Sequence, residues 1–177
     1  AFQQLPLKIF KNGFEIIDWG CGQGLGTINL FDFIANNGIA NNVKKVTLIE
    51  PSKEALDRAF KHTNCYLKNQ NNITTINDFF ENITENQLES NLGIPVIHIF
   101  SNILDVAQID LKHLAKLVDQ SVLSDNYIVS VGPLNATNRR IDAFYNYFDV
   151  PIIYEQENRY FKEKSWTYKC KIYKLQY

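Results

Sequence analysis

Methionine is missing from this 177-residue sequence altogether, and cysteine is scarce. The three cysteines lie far apart and form no C-x-x-C pair, which argues against a disulfide framework and a cysteine-based zinc site. No cluster of histidines and carboxylates has metal-ligand spacing, and no apolar run approaches the roughly twenty residues of a membrane span. We therefore expect a reducing, cytoplasmic setting, no metal and no membrane partner.

Neither sign of charge dominates, because 18 Lys and Arg stand against 19 Asp and Glu. A net charge of −1 provides no basic field for non-specific nucleic-acid binding, so nucleic acid is a possible partner that the charge does not indicate. The length and the 45% apolar content fit one well-cored domain over residues 1–177. The lack of internal methionine, with a start at Ala1, suggests a domain cut from a longer polypeptide, whose further domains would be possible partners.

The most informative stretch is an apolar run that closes in an acid and is followed by four glycines at every second position. The run from Phe14 to Trp19 predicts a strand, the glycines predict a tight turn, and the residues after them predict a helix. Glycine is needed where the backbone reverses sharply, adopts positive φ and approaches a ligand. The predicted buried side of the helix consists of Ile28, Leu30, Phe31, Ile34 and Ala35.

The glycine spacing excludes two phosphate-binding motifs. The dinucleotide pattern G-x-G-x-x-G is never completed, because leucine, threonine and asparagine stand three positions after Gly22, Gly24 and Gly26. A P-loop is excluded as well, since no Gly-Lys-Ser/Thr follows. The pattern that fits is acid-x-Gly-x-Gly-x-Gly, filled by Asp18, Gly20, Gly22 and Gly24.

This pattern resembles motif I of the class I S-adenosylmethionine-dependent methyltransferases. The resemblance implies S-adenosylmethionine as the cofactor, with Asp18 helping to hold its ammonium end. It also implies that the loop of Gly20, Cys21, Gly22 and Gly24 passes under the methionine and ribose portions. A thiolate nucleophile is conceivable at Cys21, but a small side chain that tolerates a tight turn explains the residue better. The alternative to the whole motif is a glycine-rich turn without chemical meaning.

A second acid, Glu50, ends the next predicted strand. Nucleotide-binding α/β folds place there a carboxylate that accepts hydrogen bonds from both ribose hydroxyls. A solvated glutamate is the alternative. The resemblance also implies that Pro51 borders the adenine, and that Asp78 takes the adenine amino group with the Phe79 backbone alongside, just past a third strand over 73–80. For that pair, the alternative is a turn with two core aromatics.

The apolar run from Ile94 to Asn102 predicts a fourth strand that helices cover on both faces. Ligands of α/β sheets bind beyond the carboxyl ends of the strands, so Ser101 and Asn102 should face the transferred methyl group. Family members that methylate adenine or cytosine amino groups carry Asp/Asn-Pro-Pro-aromatic here. The Ser-Asn-Ile-Leu of this sequence counts against that reaction and leaves the acceptor open. A backbone-capping amide is an equal alternative for Asn102.

Three further residues have competing interpretations. His98 lies inside the fourth predicted strand, which favours a hydrogen-bonded core histidine over a general base. Arg139 and Arg140 lie near the start of a late helix, where solvation is more typical than binding of an anionic substrate. No catalytic base is assigned, because displacement at a sulfonium needs mainly an aligned acceptor and a dry pocket.

The elements together predict a doubly wound α/β fold with helices on both faces of a seven-stranded, mostly parallel sheet, whose last strand is antiparallel. The final two strands, predicted over 150–157 and 166–175, resemble the family's closing hairpin. We expect an S-adenosylmethionine-dependent methyltransferase with an unknown acceptor. A catalytically silent S-adenosylmethionine-binding module of a larger protein is the alternative, and a nicotinamide enzyme is a third hypothesis.

Overall fold

A computed structural model describes residues 1–39, 42–67, 69–88, 90–91, 93–121, 124–134, 139–158 and 167–175. Among these residues, seven strands form one sheet in the order β3-β2-β1-β4-β5-β7-β6. The strands are β1 (Phe14–Trp19), β2 (Val43–Ile49), β3 (Ile73–Ile76), β4 (Val96–Ser101), β5 (Asn126–Pro133), β6 (Ile152–Asn158) and β7 (Tyr168–Leu175).

The strand directions confirm the predicted sheet. Strands β1 to β5 pair in parallel, and β7 pairs antiparallel with both β5 and β6, so β7 runs against the other six. Trp166, the predicted start of this last strand, lies outside the described residues. The chain steps outward from β1 to β3 and then returns to β4 on the other side of β1. Such a reversal places the ligand-binding crevice of an α/β sheet at the carboxyl ends of β1 and β4.

Helices cover both faces of the sheet, as predicted. Helices α1 (Leu25–Asn36) and α2 (Lys53–Asn64) lie on one face, and α3 (Leu111–Ser121) and α4 (Arg140–Tyr145) lie on the other. Each pair encloses its own apolar core against the sheet. No described helix has both the length and the apolar character needed to cross a membrane.

Strand β1 places the side chain of Asp18 on the side of the sheet that α1 covers. All six of its residues are buried, and they alternate between the two cores. Phe14 and Ile16 pack on the side of α1, while Ile17 and Trp19 pack on the side of α3. The alternation directs Asp18 to the same side as Phe14 and Ile16, where the start of α1 meets it.

The buried stripe of α1 differs from the prediction at two positions. Ala35 is exposed and Ile28 is only half-buried. The inward positions are Thr27, Leu30, Phe31 and Ile34, which follow the i, i+3, i+4, i+7 spacing of one helix face. Thr27 belongs to this stripe although it is polar, because the acid at the end of β1 bonds it.

The third strand was predicted over 73–80, but β3 ends at Ile76 and is shorter than that prediction. The side-chain amide of Asn77 donates to the backbone oxygens of Glu50 and Pro51, at 2.9 Å each. A short 3-10 turn over Phe80–Asn82 follows. Asn77 thereby ties the end of β3 to the end of β2, which brings two of the predicted cofactor-binding segments together.

His98 is a core residue, as the sequence favoured. Its side chain is fully buried, and the indole nitrogen of Trp19 donates to its Nδ1 at 3.1 Å. Because an indole N–H only donates, the ring proton lies on Nε2, which donates to Asn126 Oδ1 at 3.1 Å. Burial lowers the pKa of His98 to about 4, so the imidazole is neutral at physiological pH. Both ring nitrogens are used structurally.

Candidate cofactor-binding site

The glycine loop joins β1 to α1 and has positive φ at Gly20, Gly22 and Gly24. Two of these glycines are required by packing. A Cβ at Gly20 would lie 2.5 Å from Ile103 Cγ1, and one at Gly24 would lie 3.1 Å from the backbone of Ala59 in α2. A Cβ at Gly22 would meet nothing within 4 Å. The middle of the loop therefore presents bare backbone to open space, where a ligand can approach closely.

Asp18 lies at the end of β1 with its carboxyl group buried and only half satisfied. Its Oδ2 accepts hydrogen bonds from the backbone nitrogen of Thr27 at 3.1 Å and from the Thr27 hydroxyl at 2.7 Å. Its Oδ1 is buried and has no hydrogen-bond partner among the described residues. A buried acceptor in that state carries a desolvation cost that a bound donor would relieve.

The protonation of Asp18 reflects this position. Burial raises its pKa from 3.8 to about 6, against the two Thr27 hydrogen bonds, and the negative charge of Glu50 raises it further. A cation at Oδ1 would favour the ionised form. The site therefore suits an ammonium group.

Glu50, just past the end of β2, holds the glycine loop from the opposite side. Its Oε2 accepts from the backbone nitrogen of Gly22 and its Oε1 accepts from that of Ser52, both at 3.0 Å. A carboxylate offers about four acceptor positions, so each oxygen has capacity for one more donor, as a vicinal diol would require. The half-buried strand-end glutamate is thus part of the loop structure.

Cys21 lies inside the loop with its thiol buried. Its Sγ donates to the backbone oxygen of Gly22 at 3.7 Å. Burial raises the pKa of the Cys21 thiol strongly, and the negative charges of Asp18 and Glu50 raise it further. Because the thiolate is disfavoured, a nucleophilic role does not fit and the small-residue interpretation does.

Pro51, Asp78 and Phe79 lie past the ends of β2 and β3, where Pro51 and Phe79 are exposed and Asp78 is half-buried. Asp78 Oδ1 accepts from the backbone nitrogen of Phe79 at 2.8 Å and from the side-chain amide of Asn82 at 2.6 Å. Phe79 is 64% exposed, whereas Phe80 is buried. Asp78 thus takes part in a local turn, and only one of the two aromatics belongs to the core. The exposed ring of Phe79 is accessible to a planar ligand.

The end of β4 lies beside the same loop. A Cβ at Gly26 would lie 3.3 Å from Asp18 Oδ2 and 3.4 Å from Ser101 Cβ, so the ends of β1 and β4 meet at the start of α1. Asn102 is exposed, adopts a φ of 57°, and donates its backbone N–H to the oxygen of Val131 at 2.7 Å. Asparagine tolerates this left-handed conformation better than most residues. The chain thus turns away from the sheet directly after Ser101.

Arg140 has a role that the sequence did not reveal. Its Nε donates to the backbone oxygen of Leu104 at 2.6 Å, and its Nη2 donates to that of Ile109 at 2.5 Å. These two bonds connect the start of α4 to the segment that leads from β4 to α3. Arg139 is exposed, as expected for a solvated arginine. Arg140 therefore holds backbone groups of the protein and is not simply solvated.

Replacing Arg140 by alanine should lower the free energy of unfolding by about 2–3 kcal/mol, because two buried carbonyl groups lose charged donors. Urea titration followed by circular dichroism measures the change. Arg139→Ala is the matched control and should shift the unfolding midpoint little. Equal midpoints for the two variants would contradict the role assigned to Arg140.

Within the described ranges, no group of three histidine, cysteine or carboxylate side chains is arranged to hold a metal ion. The orphaned oxygen of Asp18, the open face of Gly22 and the spare acceptor capacity of Glu50 together form a cradle for a ligand with an ammonium group and a diol. S-adenosylmethionine carries both groups. The residues present therefore fit the cofactor that the sequence implied.

The chain matches no protein-family model and no curated protein. Solved structures do match: an rRNA methylase from Streptococcus thermophilus is 16% identical, with a TM-score of 0.58 over 99% of this chain and 93% of that one. TrmK of M. capricolum, in complex with S-adenosylhomocysteine, is 16% identical, with a TM-score of 0.52 over 100% and 70% of the two chains. Magnesium protoporphyrin IX methyltransferase from Synechocystis PCC 6803, with bound S-adenosylmethionine, is 13% identical, with a TM-score of 0.54 over 90% and 69%. The chain has the Rossmann-like fold of the class I S-adenosylmethionine-dependent methyltransferases.

Proposed function

We propose that the protein is an S-adenosylmethionine-dependent methyltransferase. The observation that carries the proposal is the unpartnered Oδ1 of Asp18, which is buried beside a glycine loop whose middle residue, Gly22, faces open space. A buried carboxylate oxygen without a donor is costly unless a ligand supplies one. The cofactor's ammonium group is such a donor, and the bare backbone at Gly22 allows its carbon chain to pass.

The remaining predicted residues take distinct roles in this proposal. Asp18 holds the ammonium group, and Glu50 accepts the ribose hydroxyls while it keeps its bond to the loop. Phe79 offers a ring face to the adenine, and Asp78 accepts from the adenine amino group. The other residues that border the cofactor are Gly20, Cys21, Gly24, Pro51, Ser101 and Asn102.

The bound cofactor supplies a methyl group activated by a sulfonium sulfur. The chain itself has to hold the acceptor in line with that group and to exclude water. Ser101 and Asn102 lie where the ends of β1 and β4 meet, so the acceptor approaches from this side. The neutral His98 is enclosed by its two partners and takes no part.

The structural neighbours support the cofactor more than the acceptor. TrmK was solved with S-adenosylhomocysteine and the protoporphyrin methyltransferase with S-adenosylmethionine. Their names, with that of the rRNA methylase, cover acceptors of different chemistry. The acceptor therefore has to be inferred from this chain's own residues. Nucleic acid stays a possible acceptor that a net charge of −1 does not favour.

A cytoplasmic location is part of the proposal. Cys21, Cys65 and Cys170 are free thiols, and Cys65 is exposed. An exposed thiol of this kind is more compatible with a reducing compartment than with an oxidising one. Fractionation of cells that produce the tagged protein would test the location, and recovery outside the cytoplasm would contradict it.

Incubation of the purified protein with methyl-labelled S-adenosylmethionine and separate pools of nucleic acid, protein and metabolites tests the activity. Label transferred to one pool supports a methyltransferase. Tight cofactor binding without transfer to any pool favours the alternative, a silent binding module of a larger protein. Absence of cofactor binding would overturn both.

Replacing Glu50 by alanine should weaken cofactor binding by about 1.5–3 kcal/mol, because the diol loses a charged acceptor and Gly22 loses its partner. Isothermal titration calorimetry measures the change. The exposed Glu85 provides a control, since Glu85→Ala should bind the cofactor as the native protein does. An unchanged affinity for Glu50→Ala would remove Glu50 from the site.

A further inference from the structure

The glycine loop rests on helix α2 through two residues of that helix. A Cβ at Gly24 would lie 3.1 Å from the backbone of Ala59. Further along α2, the Nδ1 atom of His62 lies 2.9 Å from the backbone oxygen of Gln23. Residues three apart project from the same side of a helix, so Ala59 and His62 face the loop together. Helix α2 thus contacts the loop both by close packing and by a hydrogen bond.

The hydrogen bond fixes where the proton of the His62 ring lies. A carbonyl oxygen only accepts, so Nδ1 carries a proton and donates it to Gln23. His62 is also a basic residue in the last turn of α2, where a basic side chain interacts favourably with the helix dipole. The two interactions need different things from the side chain. The bond to Gln23 needs a donor at one position, whereas the helix end needs a positive charge.

The peptide group between Gln23 and Gly24 is bonded at both of its polar atoms. Its N–H donates to the backbone oxygen of Cys21 at 2.8 Å, and its oxygen accepts from His62. This peptide lies one residue past Gly22, which presents bare backbone to open space. Glycines leave a loop many backbone conformations, so bonds of this kind are needed to hold it in one of them. A rotation of this peptide would break both bonds.

We propose that His62 is a positioning residue for cofactor binding, because it holds the glycine loop in the conformation that receives S-adenosylmethionine. The inference rests on the proposed function and adds to it a residue outside the glycine motif. A loop that is already held in its binding conformation loses less entropy when the ligand binds. If that conformation is only partly populated, the apparent affinity falls by the same fraction. His62 therefore acts on the cofactor through the loop backbone.

Calorimetric titration with S-adenosylhomocysteine tests the role of His62 without turnover. His62→Ala should bind about fivefold more weakly than the native protein, which is the net contribution of about one hydrogen bond. Lys61→Ala is the matched control, because it removes another exposed basic side chain from the last turn of α2 and should bind normally. An affinity of His62→Ala within about twofold of the native value, or an equal loss in both variants, would overturn the inference.

His62→Asn separates the hydrogen bond from the charge at the helix end. The amide nitrogen of asparagine is as many bonds from the backbone as Nδ1 of histidine, and it donates but carries no charge. His62→Asn should therefore bind S-adenosylhomocysteine within about twofold of the native protein. A role at the helix end predicts that it binds as weakly as His62→Ala, and that result would overturn the inference. Because His62 is exposed, both variants should keep the native circular dichroism spectrum.

Amide hydrogen exchange of the unliganded protein, measured by NMR, tests the restraint itself. The N–H of Gly24 should exchange about fivefold faster in His62→Ala than in Lys61→Ala, because its peptide has lost one of two bonds. Equal exchange rates would overturn the inference. The affinity of the native protein, measured first, separates the two proposals. Its absence contradicts the proposed function and this inference with it, whereas native binding with unchanged affinity in His62→Ala contradicts only this inference.

Discussion

Replacing Gly22 by valine should abolish binding of S-adenosylmethionine while the domain stays folded. A side chain at this position meets nothing within 4 Å, so it fits the protein but fills the space that the cofactor would take. The positive φ of 53° makes any other residue unfavourable there, at a cost of about 1–2 kcal/mol in the free energy of unfolding. Calorimetry should detect no binding, and circular dichroism should show the native spectrum.

Gly38 provides a matched control for this substitution. It also has a positive φ, of 70°, and a Cβ there would again meet nothing within 4 Å. It lies after the end of α1, away from the glycine loop. Gly38→Val should therefore carry a similar loss of stability and bind the cofactor normally. Near-native affinity in Gly22→Val, or an equal loss of affinity in both variants, would contradict the role assigned to the loop.

Replacing Asp18 by asparagine should weaken cofactor binding about a hundredfold, because the ammonium group loses its buried counter-ion. The amide oxygen of asparagine can still accept from the backbone and hydroxyl of Thr27, so the start of α1 should remain in place. Calorimetry at pH 7.5 measures the loss. An affinity within a factor of two of the native value would show that Asp18 does not hold the cofactor.

The same variant should change how stability depends on pH. Asp18 has a pKa of about 6 in the folded protein and 3.8 as its ordinary value, so the folded state binds more protons between these values. The free energy of unfolding contributed by Asp18 therefore falls as the pH rises from about 4 to about 6, by about 3 kcal/mol. In Asp18→Asn this contribution disappears.

The difference in free energy of unfolding between the native protein and Asp18→Asn separates the contribution of Asp18 from those of the other carboxyl groups. Asp142 has the opposite effect, because burial would raise its pKa but the hydrogen bonds from Lys169 and Lys171 lower it. Its stabilisation is present above the unfolded pKa and is lost as the pH falls below the ordinary aspartate range. This contribution is common to both proteins and cancels in their difference. Urea titrations at pH 4, 5, 6 and 7 measure the free energy of unfolding of both proteins. The value for the native protein minus the value for Asp18→Asn should fall as the pH rises, and a constant difference would refute the buried-acid account.

The parts of the structure that local patterns determine could be predicted from the sequence. Strand β1 begins at Phe14 and ends at Trp19 as predicted, because an apolar run followed by glycine defines both ends. Ser52 precedes α2 and is a residue type that favours a helix N-cap, and its side chain accepts from the nitrogen of Ala55 at 3.4 Å. Leu114 and Val118 face the core as their spacing predicts.

The parts that depend on where distant loops meet could not be predicted. Arg140 bonds carbonyl groups that lie 31 and 36 residues earlier in the chain, and no spacing rule connects them. Glu50 bonds Gly22 across 28 residues, although the sequence indicated each of them separately. Apolar periodicity determines which face of an element is inward, but it does not specify the contacts at the sheet edge.

Calorimetric titration of the native protein with S-adenosylmethionine at pH 7.5, with a parallel titration of NAD, tests the central claim most directly. The glycine loop, Asp18 and Glu50 predict one cofactor bound per chain, with a dissociation constant on the order of micromolar and about −8 kcal/mol of binding free energy. They predict no heat from NAD, because the dinucleotide pattern is incomplete. Binding of NAD, or the absence of S-adenosylmethionine binding, would contradict the account.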